Sequence, residues 1–300
     1  MIELTSYFPD FIIVGAAKSG TSSLHKYLGA HPDIFMPKLK ELNFFHAYGQ
    51  DNTPIWERFP EMPTNEMAYA SHFYKAGANQ IKGEASPSYL IYHERTIANI
   101  KKFYKGRELP KIIIILREPI DKIWSHFRFN RMYNLDPDGL TLEEAIQVES
   151  ERLKNPTYLP DVHYINNTKY LQQVKAYLDN FENVKVVLFD DLNKDPMKFI
   201  SEIQGYLGVE NKISEDLGKK YNKSNVSNVP SNNAVAWAMK MGLTQIPFPF
   251  KEQLKNRLLK KEKMSASVEK QLIQIFKPEV EALQTLLNQD LSSWLSKYYS

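Results

Sequence analysis

Phe11-Ile12-Ile13-Val14-Gly15-Ala16-Ala17-Lys18-Ser19-Gly20-Thr21-Ser22 decides the fold. The first four residues are apolar and either aromatic or β-branched, which reads as a buried strand. Gly15 and Gly20 bound a turn. Leu24, Tyr27 and Leu28 then follow at helical spacing. A strand, a glycine-bounded loop and a helix N-terminus, in that order, make an anion site. Loop N–H groups point at the ligand, and the helix macrodipole favours its negative charge. The nucleoside-triphosphatase loop reads G-x-x-x-x-G-K-[ST], with lysine directly after the second glycine. Here Thr21 follows Gly20, and Lys18 stands two residues before that glycine. The loop is phosphate-loop-like without being a Walker A sequence.

Outward from this loop, apolar runs alternate with helical patterns. Thr21–Ala30 reads as the first helix, stopped by His31-Pro32-Asp33. Further helices are expected at Asn65–Ala76, Arg95–Tyr104, Ile120–Tyr133, Leu142–Leu153, Lys169–Phe181, Pro196–Leu207 and Val268–Leu287, the last interrupted at Pro278. Strands are expected at Ile81–Glu84, Lys111–Leu116 and Val184–Phe189. Lys111–Leu116 contains Ile-Ile-Ile-Ile-Leu, a continuous run suited to a parallel strand covered on both faces. Leu217–Asn233, rich in Asn and Ser, reads as a long loop. The expected fold class is α/β: a P-loop-like parallel sheet with helices on both faces and an anion-binding loop after the first strand. No linker divides the chain, so residues 1–300 read as one domain.

Bulk properties narrow the function. Hydrophobic residues make up 43% of the 300, enough for a large core. A net charge of +3 argues against bulk nucleic-acid binding. Cysteine is absent, which excludes disulfides, thiolate metal sites and cysteine nucleophiles. That fits a reducing compartment, and a cytoplasmic location is expected. Met1–Asp10 has neither a basic nor an apolar signal region. No run approaches the ~20 apolar residues of a membrane span.

Ligands of parallel sheets sit at the carboxyl ends of the strands. The residues to weigh are therefore Gly15–Ser22, Glu84–Tyr89, Arg117 and Asp190-Asp191. Arg117 directly follows a buried strand, and Ser125 lies about two turns into the next helix. A guanidinium grips a phosphate through two N–H groups, and a hydroxyl adds a donor. The competing reading pairs Arg117 with a local carboxylate and leaves Ser125 solvated.

Strand–GAAKSGTSSL–helix followed by LREPIDKIWSHF resembles the sulfotransferases that use 3′-phosphoadenosine 5′-phosphosulfate (PAPS). The first motif resembles their 5′-phosphosulfate loop and the second their 3′-phosphate site. His31-Pro32-Asp33-Ile34, Lys40-Glu41-Leu42-Asn43-Phe44-Phe45 and Gly83-Glu84-Ala85-Ser86-Pro87-Ser88-Tyr89 resemble segments of the glycan and bacterial branch. VVLFDDLNKDP, from Val186 to Pro196, and the tail FKPEVEALQTLLNQDLSSWL agree as well. The resemblance runs through nearly the whole chain in family order.

It implies roles residue by residue. Lys18 would hold the 5′-phosphosulfate and stabilise charge on the leaving phosphate, helped by Ser19, Gly20, Thr21 and Ser22. Arg117 and Ser125 would bind the 3′-phosphate. Glu41 would be the general base on an acceptor hydroxyl. Lys223 resembles a late basic loop closing over the 3′-phosphate, although the glycine-rich form of that loop is missing. Sulfuryl transfer is an in-line displacement governed by positioning and electrostatics. No metal is required by the implied chemistry, and the product is adenosine 3′,5′-bisphosphate. A carboxylate such as Glu41 becomes an effective base where burial or a hydrogen-bond network raises its basicity. His46 and His72 are alternative bases or acceptor contacts, with structural packing as their commoner role. Ser86, Ser88 and Tyr89 are candidates for shaping the site. Tyr170 reads as helix packing. Pro247-Phe248-Pro249-Phe250 could cover an acceptor or pack as a connector. Lys255, Arg257, Lys260 and Lys261 could meet an acidic glycan or carrier protein, or simply be solvated.

The expected acceptor carries a hydroxyl, on a glycan, a small alcohol, a phenol or a carrier-bound hydroxyacyl chain. Two other readings stay open. A P-loop nucleoside or sugar kinase would use Asp190 or Asp191 on Mg²⁺, against which stands the displaced lysine. A non-catalytic nucleotide-binding module would keep the fold, yet Lys18, Glu41, Arg117 and Ser125 are all present.

Overall fold

The computed structural model describes residues 4–50, 61–155, 157–158, 160–212, 228–230, 259–261 and 263–299. Five strands, β1 (Phe11–Gly15), β2 (Ile34–Phe35), β3 (Ile81–Ala85), β4 (Lys111–Leu116) and β5 (Val184–Leu188), pair in the order β2-β3-β1-β4-β5. Every pairing in this sheet is parallel. A separate antiparallel pair joins β6 (Asn228–Pro230) to β7 (Leu259–Lys261).

The helices, in chain order, are α1 (Thr21–Gly29), α2 (Phe44–Ala47), α3 (Glu66–Ser71), α4 (Ser88–Ile91), α5 (His93–Phe103) and α6 (Pro119–Tyr133). There follow α7 (Leu142–Arg152), α8 (Tyr170–Asn180), α9 (Phe189–Lys194), α10 (Pro196–Leu207), α11 (Ala266–Leu287) and α12 (Ser292–Tyr299).

The apolar strands are covered on both faces, and the two-residue side-chain period divides them between two cores. Ile12 and Val14 of β1, with Ile112, Ile114 and Leu116 of β4, enter one core together with residues of α5, α6, α8 and α11. Phe11, Ile13, Ile113 and Ile115 enter the other, packed by α1 and α10. All nine are solvent-excluded, and burying each side chain contributes roughly 1.5–3 kcal/mol. β1 lies between β3 and β4, so the chain moves to opposite sides of β1 before and after β3. The carboxyl end of β1 is thus a topological switch point, where ligands of open parallel sheets bind.

Local chemistry sets the helix starts. Asn65 caps α3 by accepting from the Ala68 N–H at 2.9 Å. Thr141 and Glu144 form a reciprocal capping box on α7. Asp195 caps α10, with Pro196 in its first turn. The helix expected over Asn65–Ala76 ends at Ser71. Beyond it the Phe73 and Ala76 N–H groups bond three residues back, the tighter 3₁₀ pattern. α11 runs continuously through Pro278, where an interruption was expected. Within the expected loop Leu217–Asn233, residues 228–230 form β6. β2, α2, α4, α9 and α12 were not anticipated, because most are too short to show a period. No helix of the described residues is long and apolar enough to cross a membrane.

Candidate active site

The loop after β1 turns directly into α1. Gly20 takes the N-cap position at φ +94° and offers no side chain to the helix. A Cβ there would lie 2.8 Å from the Phe189 ring, so this position demands glycine twice over. Among the described residues the Thr21 and Ser22 N–H groups make no backbone hydrogen bond and remain for an anion, whereas the Ser23 N–H donates to the Gly20 carbonyl at 3.0 Å.

Lys18 occupies the left-handed region at φ +64°. Its Nζ lies 3.8 Å from the centre of the Phe129 ring, a cation–π contact. Phe129 is on α6, one turn beyond Ser125. Burial, seconded by the Arg117 charge, lowers the Lys18 ammonium to a pKa of about 8. A desolvated cation beside a second cation is poised to gain from an anion.

Arg117 follows β4. Its Nη1 donates to the Lys18 carbonyl at 3.3 Å, and its guanidinium stands 5.1 Å from the centre of the Phe189 ring. Phe189 thus contacts Arg117 on one side and the Gly20 turn on another. Ser125 is buried on α6, the helix that begins two residues after Arg117. Glu118 starts that helix by accepting from the Ile120 and Asp121 N–H groups at 3.0 and 2.8 Å.

Ser19 Oγ and Tyr170 Oη are both buried and face one another, and neither has a hydrogen bond of good geometry among the described residues. Burial holds the Tyr170 phenol protonated. Orphaned buried donors at the mouth of a helix suit a phosphoryl or sulfuryl oxygen. Tyr170, expected to serve packing, lies within the main core and also presents its hydroxyl to the loop.

Glu41 reaches this edge through a strained turn. It sits at φ +68°, and Asn43, two residues on, at φ +55°. The Glu41 N–H donates to the Ala85 carbonyl at 3.1 Å, at the end of β3. Asn43 Nδ2 donates to the Glu41 carbonyl at 2.9 Å, and the Asn43 N–H donates to Ser86 Oγ at 3.0 Å. Ser88 Oγ donates to the Asn43 side chain.

Beneath the turn lies Glu84, fully buried. It accepts from Tyr69 Oη at 2.5 Å, Ser86 Oγ at 2.6 Å and Tyr89 Oη at 2.8 Å. Tyr89 Oη in turn accepts the Phe45 N–H at 3.2 Å. The Ser86 and Tyr89 oxygens are thus occupied by backbone donors, and their protons are left for Glu84. Burial raises the Glu84 pKa, and the three hydroxyl donors oppose that rise.

The Glu41 carboxylate itself is 47% exposed and paired with the Lys40 ammonium. Its charge acts on Lys18 across the site.

The histidines are placed differently. His46, on α2, is buried and stacked on Tyr92, with ring centres 4.5 Å apart. Desolvation lowers its pKa to about 3, so its ring is neutral at ordinary pH. Neither ring nitrogen has a hydrogen-bond partner among the described residues. His72 ends α3, where burial also lowers its pKa. No hydrogen bond joins either ring to Lys18 or Glu41 among the described residues. Lys223, Pro247–Phe250, Lys255 and Arg257 lie outside the described residues. Lys260 and Lys261 fall in β7.

Phe129, Phe189 and Glu118 also belong to this site and were missed as functional residues. Phe129 could have been noted as the aromatic one turn beyond Ser125, and Phe189 as the residue following β5.

A profile of the sulfotransferase domain matches residues 8–286. A sulfotransferase crystal structure from Alicyclobacillus acidocaldarius is 29% identical, with a TM-score of 0.73 over 96% of this chain and 98% of that one. A mouse sulfotransferase, SULT7A1, solved with PAP, shares the fold at 17% identity, with a TM-score of 0.52 over 99% of this chain and 91% of that one. The human bifunctional heparan sulfate N-deacetylase/N-sulfotransferase 1 is 26% identical over 217 residues, 69% of this chain. The match spans 23% of that relative's length. The membrane-associated sulfotransferase kil1 of Dictyostelium discoideum is 34% identical over 125 residues, covering 41% of this chain and 23% of its own. A loop, strand ends and helix start that gather cations and donors at one switch point agree with the match across residues 8–286: the chain belongs to the sulfotransferase domain family.

Proposed function

We propose that this enzyme moves the sulfuryl group of PAPS to an acceptor hydroxyl, with Glu41 as general base. One observation carries the reading. Lys18 and Arg117, on different strand ends, are linked through a hydrogen bond and bracket the start of α1. A donor with a 5′-phosphosulfate and a 3′-phosphate presents two anions, and the site offers one cation for each.

Lys18, Ser19, Gly20, Thr21 and Ser22 would cradle the 5′-phosphosulfate, and Arg117 and Ser125 the 3′-phosphate. Lys223 would add to the 3′-phosphate site. The acceptor oxygen attacks sulfur in line. The sulfur–oxygen bond to the 5′-phosphate breaks as the new one forms. The hydroxyl proton passes to Glu41, and adenosine 3′,5′-bisphosphate leaves. Lys18 offsets the charge gathering on the leaving phosphate.

Glu41 is accessible to an acceptor because its carboxylate is half exposed. Its pairing with Lys40 means that the acceptor hydroxyl competes with an ammonium for the same oxygens. A glycan or a carrier-bound hydroxyacyl chain fits that open approach. The relatives named as heparan sulfate N-sulfotransferases support a glycan, and also favour a second reading in which the accepting atom is an amine nitrogen. The cysteine-free sequence supports a cytoplasmic location.

Calorimetric titration with adenosine 3′,5′-bisphosphate, against 5′-ADP with and without Mg²⁺, tests the donor. Preference for the 3′-phosphorylated ligand without metal is expected. A metal-dependent preference for 5′-ADP would replace this reading with the kinase. Transfer of ³⁵S from labelled PAPS to N-desulfated and O-desulfated heparin then separates amine from hydroxyl acceptors.

A further inference from the structure

We infer that the last helix, α12, is a positioning element for the 3′-phosphate site, acting through Trp294 and Tyr298. The inference rests on the assignment of Arg117 to the 3′-phosphate.

Arg117 and Phe189 face each other from the ends of adjacent strands, β4 and β5. α12 holds the residue after each through a side-chain hydrogen bond. Trp294 Nε1 donates to Asp190 Oδ2 at 2.6 Å, and Asp190 follows Phe189. Tyr298 Oη donates to Glu118 Oε1, and Glu118 follows Arg117. Trp294 and Tyr298 are four residues apart and therefore share one face of the helix. Both side chains are buried, as is Glu118.

This arrangement constrains the site in a particular way. Glu118 already accepts two N–H groups at the start of α6. The tyrosine hydroxyl supplies a third donor, which fixes the carboxylate and with it the backbone that launches the Arg117 side chain. The Trp294 bond fixes the start of α9, and so the ring on which the guanidinium rests. That ring also lies within 2.8 Å of where a Cβ on Gly20 would stand. One helix thereby sets the arginine, its aromatic support and the spacing of both from the 5′ loop. Lys297, between the two anchors, adds a 2.9 Å ion pair to Asp121 on α6.

The test compares adenosine 3′,5′-bisphosphate with 5′-AMP by calorimetry, in the wild type and in Tyr298→Phe, Trp294→Phe and Asp190→Asn. The ratio of the two affinities isolates the 3′-phosphate. Tyr298→Phe and Trp294→Phe are each expected to lower this ratio about three- to tenfold, the effect of losing one positioning hydrogen bond. Binding of 5′-AMP should stay within about twofold. Asp190→Asn keeps an acceptor for the indole and is expected to retain the ratio. A purely structural role would lower the melting temperature of the phenylalanine variants and leave the ratio alone, which overturns the inference. A wild type without preference for the 3′-phosphorylated ligand would instead overturn the reading of Arg117, and the inference with it. Tyr298→Phe removes a single hydroxyl from an aromatic core, so the test survives a Trp294 variant that does not fold.

Discussion

Arg117 Nη1 donates to the backbone carbonyl of Lys18 at 3.3 Å, across 99 residues of sequence. The bond ties the end of β4 to the loop after β1. It also puts a guanidinium beside an ammonium, and that proximity is the second cause, after burial, of the low Lys18 pKa.

The first prediction follows from that pKa of about 8. A bound phosphosulfate or phosphate favours the charged ammonium, so the Lys18 pKa rises in the complex. Binding therefore takes up a proton between about pH 8 and the pKa of the complex, and affinity falls as pH rises through that window. Calorimetry at pH 8.5, in two buffers of different ionisation heat, is expected to show uptake that Lys18→Met abolishes. Equal observed heats in the two buffers for the wild type would mean no proton uptake and would refute the assignment.

Arg117→Met removes a charged grip and is expected to weaken adenosine 3′,5′-bisphosphate by ~1.5–3 kcal/mol, about ten- to 150-fold. Binding of 5′-AMP changes far less. Comparable losses for both ligands would mean that Arg117 serves the loop rather than the 3′-phosphate.

Glu41→Gln keeps the shape of the turn and removes the base. Turnover is expected to drop ~10²–10⁴-fold, while the dissociation constant for adenosine 3′,5′-bisphosphate stays within about twofold. Full activity in this variant would send the search to His72 first. The stacked His46 ring, with its pKa of about 3, is a poor base.

Ser86→Ala removes a donor to the buried Glu84 carboxylate and leaves the Asn43 N–H without its acceptor. A loss of ~1–3 kcal/mol in thermal or urea unfolding is expected. Turnover should fall as well, because the turn carrying Glu41 is released. In a Glu41→Gln background the same change should have little further effect on turnover. Additive losses would show that Ser86 acts elsewhere.

Lys122 is fully buried on α6 and donates to the Asn167 carbonyl at 3.2 Å and to Thr168 Oγ1 at 2.9 Å. Desolvation lowers its pKa to about 7, opposed by attraction to Glu149 and Asp161. The unfolded chain thus binds more protons at this site between about pH 7 and its ordinary 10.5. Its contribution makes stability rise with pH across that window. The difference in unfolding free energy between wild type and Lys122→Met should therefore shift in favour of the wild type from pH 7 to pH 10. A pH-independent difference would contradict the buried ammonium.

The strands and the anion loop were legible because their signals are local. Uninterrupted Ile and Val runs can only be covered on both faces, and Gly15–Gly20 must turn between a strand and a helix. Lys18 and Arg117 were legible for the same reason: Lys18 lies in the loop that leaves β1, Arg117 directly follows β4, and parallel strands end at one edge. The short elements carry no period and were not anticipated.

By itself the sequence determined a parallel α/β sheet, the phosphate-loop-like turn after its first strand, and the cations at the strand ends. Only the tertiary structure decided what surrounds them. Glu41 stands at the site because Ala85, Ser86 and the buried Glu84 hold a left-handed turn some 40 residues away in sequence. Lys18 rests on Phe129, Arg117 rests on Phe189, and α12 anchors the neighbours of that second pair. These contacts join segments remote in the chain. Each side chain there is selected by the three-dimensional packing around it, which no spacing along one segment records.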